Sequence, residues 1–365
     1  MEIFFPEPNK KDDTWARTGE STYSWLKRST INRAVLSREF LNRNLYKLPE
    51  QGRDRIFSDL RHNWEQAFFE LVVGRILQEM GAEIEIDFEL NDGHKPDFLT
   101  KFSDGTCIVE ATTPLTNAEI REEEKRLDFL KKIIEANTPP NWGVLIHDLP
   151  DIGYQDPKSE FRRVISDSFS KPSNKDKKEF SLIQEFDKGK LNLTFTQEYG
   201  GNPKILFDSS GSAYWDNTRV KIKQSIKSKR SQLRNSELPV ILALNAGGYT
   251  HSDFEEFDFV LYGHTYARLN WNTKVLNQEF IADGLFCKRK SGEPTFAGVL
   301  AFVGVSFGLV GNPILYQHPD FAGSFPQSFQ YFENRVFDKA ANQIKHLAAK
   351  SSSFMDELGF ISMQD

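Results

Sequence analysis

The stretch KPDFLTKFSDGTCIVEATT, residues 95–113, predicts two β-strands joined by a tight turn. Both halves are rich in β-branched and aromatic residues, as is typical of strands. Ser103-Asp104-Gly105 separates them with residues that favour turns. Pairing of the strands through this turn brings Asp97 and Glu110 together at one end of an antiparallel hairpin.

The two carboxylates are the chemically informative feature of this hairpin. Asp97 and Glu110 together form a hard-oxygen site suited to Mg²⁺ or Mn²⁺. Because strand side chains alternate faces, Thr112 shares the face of Glu110, whereas Ala111 points to the other side. The competing interpretation is a pair of acids at strand ends that face water.

Outward from the hairpin, the chain predicts a mixed α/β core with elements added at both ends. Residues 63–81 carry a broad apolar helical face that stops at Gly81, and residues 82–90 form a further strand. A length of 365 residues suggests about two domains. We expect an N-terminal helical segment at 1–61, an α/β core at 62–250 with an insertion at about 119–215, and a C-terminal α/β extension at 251–365 that packs on the core and ends in a helix at 327–349.

Residues 218–234 predict a basic helix in which one lysine faces inward. Lys229 falls in the narrow apolar stripe formed by Ile222, Ile226 and Leu233. An unpaired buried ammonium is costly, so this lysine requires a carboxylate or a phosphate as partner. Gln232 lies one turn away on the flank of the stripe. The alternative is a lysine whose charged end reaches the surface.

The same helix has a strong local charge on a chain whose net charge is −6. No acidic residue lies between Asn217 and Ser236, and this density of cations indicates contact with a phosphate backbone. A solvated basic face is the alternative. The cations that we assign to nucleic-acid binding are Lys221, Lys223, Lys227, Arg230 and Arg234.

Several other classes of site are disfavoured by residue spacing. Cys107 and Cys287 lie far apart, which argues against a disulfide framework and a CxxC metal site. The seven histidines show neither HxxxH nor HExxH spacing, and residues 245–248 lack the lysine of a P-loop. The opening residues have no apolar signal-peptide core, and no apolar run reaches the ~20 residues of a membrane span. We therefore expect a cytoplasmic protein without a membrane partner.

Taken together, these residues resemble the PD-(D/E)XK nuclease superfamily and, within it, a widespread bacterial group. The match runs discontinuously over roughly residues 62–326. The residues that carry it are Phe69-Glu70-Leu71, Pro96-Asp97-Phe98, Val109-Glu110-Ala111-Thr112, Lys229 with Gln232, Pro239-Val240-Ile241 and Leu315-Tyr316-Gln317-His318-Pro319. The resemblance implies a restriction-endonuclease-like core, in which a mixed β-sheet is flanked by helices.

One position departs from the superfamily pattern. Members with the full motif carry a lysine two residues after the glutamate, where this chain has Thr112. The superfamily is known to relocate this lysine, and we expect Lys229 to replace it in preference to Lys95 or Lys101. Two glutamates of the helix at 63–81 are candidates for the site. Periodicity favours Glu65 and the resemblance favours Glu70, and we choose Glu70.

The resemblance implies an Mg²⁺-dependent endonuclease that cleaves nucleic acid, with DNA favoured over RNA as the substrate and Mn²⁺ as a substitute metal. It also implies a role in bacterial defence or mobile-element biology. The implied metal ligands are Asp97, Glu110, the Ala111 carbonyl and Glu70. The implied catalytic set is Glu70, Asp97, Glu110, Thr112, Lys229 and Gln232. The alternative is a catalytically inactive nucleic-acid-binding module of a larger complex. A homodimer or a defence-system protein is the further partner that we conjecture.

Overall fold

The computed structural model describes residues 4–14, 16–17, 20–114, 126, 129–152, 158–174, 177–187, 189–197, 205–207, 218–233, 236–246, 254–270, 275–287, 294–305 and 311–350. The chain divides into two compact units. The first comprises Met1–Trp15, Ser21–Leu115 and Asp216–Asp365, and the second comprises Ala16–Glu20 and Thr116–Trp215. The second unit thus covers nearly the same residues as the insertion expected at 119–215.

The helices and strands follow one another along the chain as a mixed α/β pattern. The helices are α1 (Thr22–Arg28), α2 (Asn32–Lys47), α3 (Glu50–Asp59), α4 (Trp64–Glu79), α5 (which includes residues 129–136), α6 (Lys158–Ser170), α7 (Thr218–Leu233) and α8 (Phe254–Leu261), with a 3₁₀ turn at Gln327–Tyr331. The strands are β1 (Glu83–Ile86), β2 (Phe98–Phe102), β3 (Gly105–Thr112), β4 (Gly143–Asp148), β5 (Glu179–Phe186), β6 (Gly189–Thr196), β7 (Ile205–Phe207), β8 (Val240–Asn245), β9 (His264–Asn270), β10 (Val275–Ile281), β11 (Gly298–Phe302), β12 (Ile314–Gln317), β13 (Glu333–Asp338) and β14 (Gln343–Leu347). No helix in these described ranges is long and apolar enough to cross a membrane.

An eight-stranded mixed sheet organises the first unit, in the order β1-β2-β3-β8-β11-β12-β13-β14. The predicted hairpin is confirmed, because β2 pairs with β3 in antiparallel fashion and Phe98 lies opposite Val109. On its other side β3 pairs with β8 in parallel, and Glu110 lies opposite Leu242. The mixed α/β class is therefore confirmed, and β3 lies inside the sheet, where both of its edges are paired.

Helices cover the two faces of this sheet around separate hydrophobic cores. On one face, Val109 and Ala111 pack in the cluster that contains α4. On the other face, Ile108 packs in the cluster that contains Ile222 and Ile226 of α7. The predicted alternation along β3 is thus confirmed, and Glu110, which shares the face of Ile108, points to the side of α7.

The final helix expected at 327–349 is wrong. The structure has a 3₁₀ turn there, followed by β13 and β14, which pair as an antiparallel hairpin. The turn of this hairpin interrupts the helical pattern: the carboxylate of Asp338 accepts hydrogen bonds from the backbone N–H groups of Ala340 and Ala341, and Asn342 adopts a left-handed φ of 50°. Because β13 also pairs with β12, the region after residue 250 continues the core sheet and contributes four of its strands.

The second unit has its own sheet and its own hydrophobic core. Its four strands lie in the order β5-β6-β4-β7. Leu130 and Ile134 of α5 and Phe161 of α6 pack in one cluster with Phe195 of β6. This independent core explains why the segment between β3 and α7 can be so long without interrupting the main sheet.

Candidate functional site

Two hydrogen bonds from the backbone link the carboxylates of the hairpin just before the start of β2. The backbone N–H of Asp97 donates to Glu110 Oε2 over 3.1 Å, and the backbone N–H of Ala111 donates to Asp97 Oδ2 over 2.8 Å. The register that places Phe98 opposite Val109 sets this arrangement, because it makes Asp97 the next neighbour of Glu110 across the strands. The structure thus brings Asp97 and Glu110 together.

Lys229 reaches this pair from α7. Its Nζ lies 2.5 Å from Glu110 Oε1, although the two residues are 119 positions apart in the sequence. The side chain of Glu110 is 7% exposed and that of Lys229 is 26% exposed. The inward-facing lysine of the basic helix therefore has the carboxylate partner that its position requires.

The two other candidate lysines lie elsewhere. Lys95 is exposed, and its Nζ lies 3.3 Å from Glu89 Oε2. Lys101 is exposed as well, and its Nζ lies 3.7 Å from Glu85 Oε2. Of the three lysines considered, Lys229 is the one that contacts a carboxylate of the hairpin.

Gln66, which the sequence analysis missed, ties α4 to the end of β3. Its Nε2 donates to the backbone carbonyl of Ala111 and to Glu70 Oε1, each over 3.0 Å. Its Oε1 accepts from the backbone N–H of Thr113 over 2.9 Å. The spacing of four residues between Gln66 and Glu70 was the available sequence signal, since such residues are neighbours on one helix face.

Glu70 is the helix glutamate that faces the site. It is 5% exposed, whereas Glu65 is exposed to solvent. Besides Gln66, Glu70 meets Arg55 of α3, whose Nη2 lies 3.0 Å from Glu70 Oε2. Arg55 was also missed, because it belongs to the N-terminal segment for which the sequence suggested no role.

The electrostatics of the cluster show an excess of buried negative charge. Burial of its carboxyl group, with Glu110 and Glu70 nearby, raises the pKa of Asp97 well above its usual range. Burial also raises the pKa of Glu70, although Arg55 and Gln66 oppose the shift. Burial lowers the pKa of Lys229, but Glu110 and Asp97 outweigh it and the net shift is upward. A further cation would be stabilised in such surroundings.

The donor chemistry fits a hard divalent cation, although the side chains are engaged with one another. Within the described residues, no group of three or more His, Cys, Asp or Glu side chains is arranged to hold a metal ion. Asp97 and Glu110 nevertheless supply two carboxylates beside the Ala111 carbonyl. Burial, with the charges of Glu110 and Glu70 nearby, raises the pKa of Asp97, and a cation would offset that negative charge. Glu70 is held by Gln66 and Arg55 at the edge of this set.

Thr112 and Gln232 differ in their relation to the site. Thr112 is 8% exposed and lies two positions beyond Glu110 on the same strand face. Gln232 is exposed, and in the described part of the chain it makes no hydrogen bond with the hairpin. The structure therefore shows Gln232 at the solvent-exposed side of α7, and its role in the site stays a prediction.

The basic helix α7 presents part of its charge to solvent. Lys223 and Lys227 are exposed, and Lys221 and Arg230 are half-buried; Arg234 lies outside the described residues. Arg219, from the same run, is used within the fold: its Nη2 lies 3.0 Å from Glu256 Oε1, and its guanidinium lies 3.9 Å from the centre of the Phe259 ring.

The cysteine of the hairpin is poorly suited to nucleophilic chemistry. Cys107 is buried in β3, and its Sγ lies 3.0 Å from the hydroxyl of Thr100. Burial raises the pKa of the Cys107 thiol to about 11, so the reactive thiolate is strongly disfavoured at neutral pH.

The fold and the site define a mixed α/β protein with a buried centre of carboxylates, one lysine and one arginine. No protein-family model matches the chain, and no curated protein and no solved structure matches it. Its function must therefore be argued from the geometry of the centre.

Proposed function

We propose that the chain is a metal-dependent phosphodiesterase, an endonuclease that acts on nucleic acid, with DNA as the favoured substrate. The observation that carries the proposal is the contact of 2.5 Å between Lys229 Nζ and Glu110 Oε1. It brings a lysine from a distant helix to the carboxylate pair, and this supports the expectation from the PD-(D/E)XK resemblance that Lys229 replaces the missing motif lysine. Convergence of residues 119 positions apart is a far more selective observation than a short motif.

The topology around the hairpin supports a restriction-endonuclease-like core as part of this proposal. Strands β1, β2 and β3 form an antiparallel meander, and β8 then joins β3 in parallel. Helix α4 packs against one face and α7 against the other. The helices and strands that carry Glu70, Asp97, Glu110 and Lys229 thus surround one end of β3.

In this proposal Asp97, Glu110 and the Ala111 carbonyl would hold Mg²⁺ or Mn²⁺, with Glu70 at the edge of the site. When bound, the metal ion supplies a nucleophilic water of lowered pKa and stabilises negative charge on the scissile phosphate. Lys229 orients the attacking water and offsets the developing charge. Gln66 fixes the direction of the Ala111 carbonyl through its hydrogen bond of 3.0 Å.

Thr112 and the basic residues complete the assignment. In this proposal the hydroxyl of Thr112, on the face of Glu110, would hydrogen-bond a phosphate oxygen or a water. The exposed Lys223 and Lys227 of α7 support contact with the phosphate backbone, since they belong to the helix that delivers Lys229. Lys221, Arg230 and Arg234 stay predicted contacts with nucleic acid. A cytoplasmic location and a role in bacterial defence or mobile elements stay predictions as well.

The test of this proposal is cleavage by the purified protein. Plasmid, linear and single-stranded DNA and RNA are incubated with Mg²⁺, Mn²⁺ or EDTA, using wild type, Asp97→Ala, Lys229→Ala and Lys101→Ala. Lys101 is the matched control, because it is a lysine of the same hairpin that pairs with Glu85 outside the site. We expect cleavage by wild type and Lys101→Ala, and none with EDTA or by Asp97→Ala. Full metal-dependent cleavage by Asp97→Ala would contradict the assignment.

The second candidate is a catalytically inactive nucleic-acid-binding module, which one feature of the site favours. Lys229 lies directly against Glu110, and Gln66 already donates to the Ala111 carbonyl, so both groups are engaged with protein atoms. A wild-type protein that binds DNA but cleaves none of the four substrates with either metal supports this module. Cleavage that appears after addition of a partner protein, or on dimerisation, supports the enzyme.

A further inference from the structure

We propose that Arg55 is a positioning residue of this centre, and that the N-terminal helices are consequently part of the functional site. The inference rests on the proposed function insofar as it concerns cleavage, but the contacts that carry it are independent of the reaction. Arg55 is held at the meeting point of α3, α4 and the end of β1, and it acts through Glu70 and Gln66 on the end of β3.

Three carboxylates from three parts of the chain surround the Arg55 guanidinium. Its Nη2 lies 3.0 Å from Glu70 Oε2 on α4, and its Nε lies 2.9 Å from Asp87 Oδ1 after β1. Its Nη1 lies 3.5 Å from Asp59 Oδ2, one helical turn further along α3. A planar guanidinium can serve several carboxylates at once, which a lysine ammonium does less well.

The contact with Glu70 is the one through which Arg55 reaches the centre. Glu70 Oε2 and both Nε and Nη2 of Arg55 are buried and have no hydrogen bond of good geometry in the described part of the chain. Their stabilisation therefore comes from opposite charge at short range. Removing Arg55 leaves the buried Glu70 carboxylate with the hydrogen bond from Gln66 but without a charged partner at short range, which is costly for a buried carboxylate.

The backbone is shaped to bring Arg55 to this place. Gly52, one turn before Arg55, lets α3 approach β1 so closely that a Cβ there would lie 2.5 Å from the Cβ of Ile86. Asp87, which follows Ile86, has a left-handed φ of 61°, a conformation that aspartate adopts more readily than most residues other than glycine. Both residues lie at the junction of α3 and β1, where Arg55 Nε lies 2.9 Å from Asp87 Oδ1.

A continuous chain of contacts leads from Arg55 to the end of β3. Glu70 Oε1 accepts from Gln66 Nε2, which also donates to the Ala111 carbonyl, and Gln66 Oε1 accepts from the Thr113 backbone N–H. Arg55 fixes the carboxylate of Glu70, and Glu70 in turn fixes the amide of Gln66. The Ala111 carbonyl is therefore oriented from the N-terminal segment as well as from the sheet.

The test compares Arg55→Gln with Arg53→Gln. Arg53 is the matched control, since it lies on the same helix and is partly buried, but pairs with Glu50 and Asp54 outside the centre. The first readout is hydrogen exchange of the Thr113 backbone amide, followed by NMR. We expect exchange about tenfold faster in Arg55→Gln, the factor expected for the loss of one hydrogen bond, and unchanged exchange in Arg53→Gln.

The second readout is cleavage, resolved into kcat and KM. We expect Arg55→Gln to lower kcat about tenfold or more, as is typical when a residue behind a metal ligand is lost, with little change in KM for DNA. In a Glu70→Gln background the Arg55 substitution should have no further effect on kcat or on Thr113 exchange, because Arg55 acts through Glu70.

The two proposals fail in different ways. Wild type that does not cleave contradicts the proposed function, and Thr113 exchange still decides the role of Arg55. An Arg55→Gln protein that matches Arg53→Gln in both readouts overturns the positioning role. If Arg55→Gln does not fold, Arg55→Lys takes its place: faster Thr113 exchange in this variant than in Arg53→Gln supports the role, and wild-type exchange overturns it.

Discussion

Lys229→Met tests the ion pair on which the proposed function depends. The variant removes the ammonium group and keeps a flexible apolar side chain on α7, so the main change is the loss of the charge opposite Glu110. A cycle of Lys229→Met, Glu110→Gln and the double variant isolates the interaction between the two residues from their separate effects. Lys101→Met, which removes the exposed contact of 3.7 Å to Glu85, is the control.

The separation and the burial of the pair determine the expected size of the effect. Two unit charges 2.5 Å apart attract by about 7 kcal/mol at an effective dielectric constant near 20, and by about 2 kcal/mol in bulk water. Since Lys229 is 26% exposed and Glu110 only 7%, the pair lies between these limits. We expect Lys229→Met to lower the free energy of unfolding by about 3 kcal/mol, and the cycle to give a coupling of about 2 kcal/mol.

Urea denaturation at pH 7, followed by circular dichroism, measures the four proteins of the cycle. The pKa of Lys229 is raised above its ordinary 10.5, so its contribution is complete at lower pH and is lost as the pH rises through the folded-state pKa. Lys101→Met should cost less than about 1 kcal/mol, the range of exposed pairs. A coupling below about 0.5 kcal/mol between Lys229 and Glu110 would refute the reasoning.

Three further predictions concern the charge, the packing and the basic face. Because burial and Glu110 raise the pKa of Asp97, ionisation of this residue costs stability. Asp97→Asn should therefore be more stable than wild type at pH 7 and lose this advantage below the ordinary pKa of 3.8. Urea titrations in which Asp97→Asn is less stable than wild type at pH 7 would contradict this. Gly52→Ala should destabilise the fold by about 1–3 kcal/mol through collision with Ile86, and an unchanged melting temperature would show that α3 does not approach β1 so closely. Replacing Lys223 and Lys227 by alanine should weaken DNA binding equally for all sequences and reduce the slope of log K, the binding constant, against log salt concentration by about 2. An unchanged slope, measured by fluorescence anisotropy, would exclude phosphate contact by these residues.

Local pattern was sufficient to predict the hairpin and its carboxylates. Alternation along residues 106–112 and the turn at Ser103-Asp104-Gly105 determine which side chains share a face and which residues lie opposite each other. That is why the proximity of Asp97 and Glu110 could be predicted without any knowledge of the rest of the chain. The inward position of Lys229 followed in the same way from helical periodicity.

The partners of Gln66 and Arg55 were beyond such reasoning. Each contact joins groups that periodicity does not relate: Gln66 reaches the Ala111 carbonyl 45 positions away, and Arg55 reaches Asp87 across the junction of α3 and β1. The helix expected at 327–349 was wrong for a related reason. The strand β13 is stabilised by parallel pairing with β12, a long-range contact that outweighs local helical preference.

The sequence by itself determined the secondary structure around the candidate centre, the faces of β3 and the inward direction of Lys229, because these depend on periods of two or about 3.6 residues that are written along the chain. Only the tertiary structure decided that Lys229 meets Glu110, that Glu70 rather than Glu65 faces the site, and that Arg55 joins it. Those contacts depend on how α3, α4 and α7 pack against one sheet. Packing is determined by contacts across the whole fold, which the preferences of a single segment do not contain.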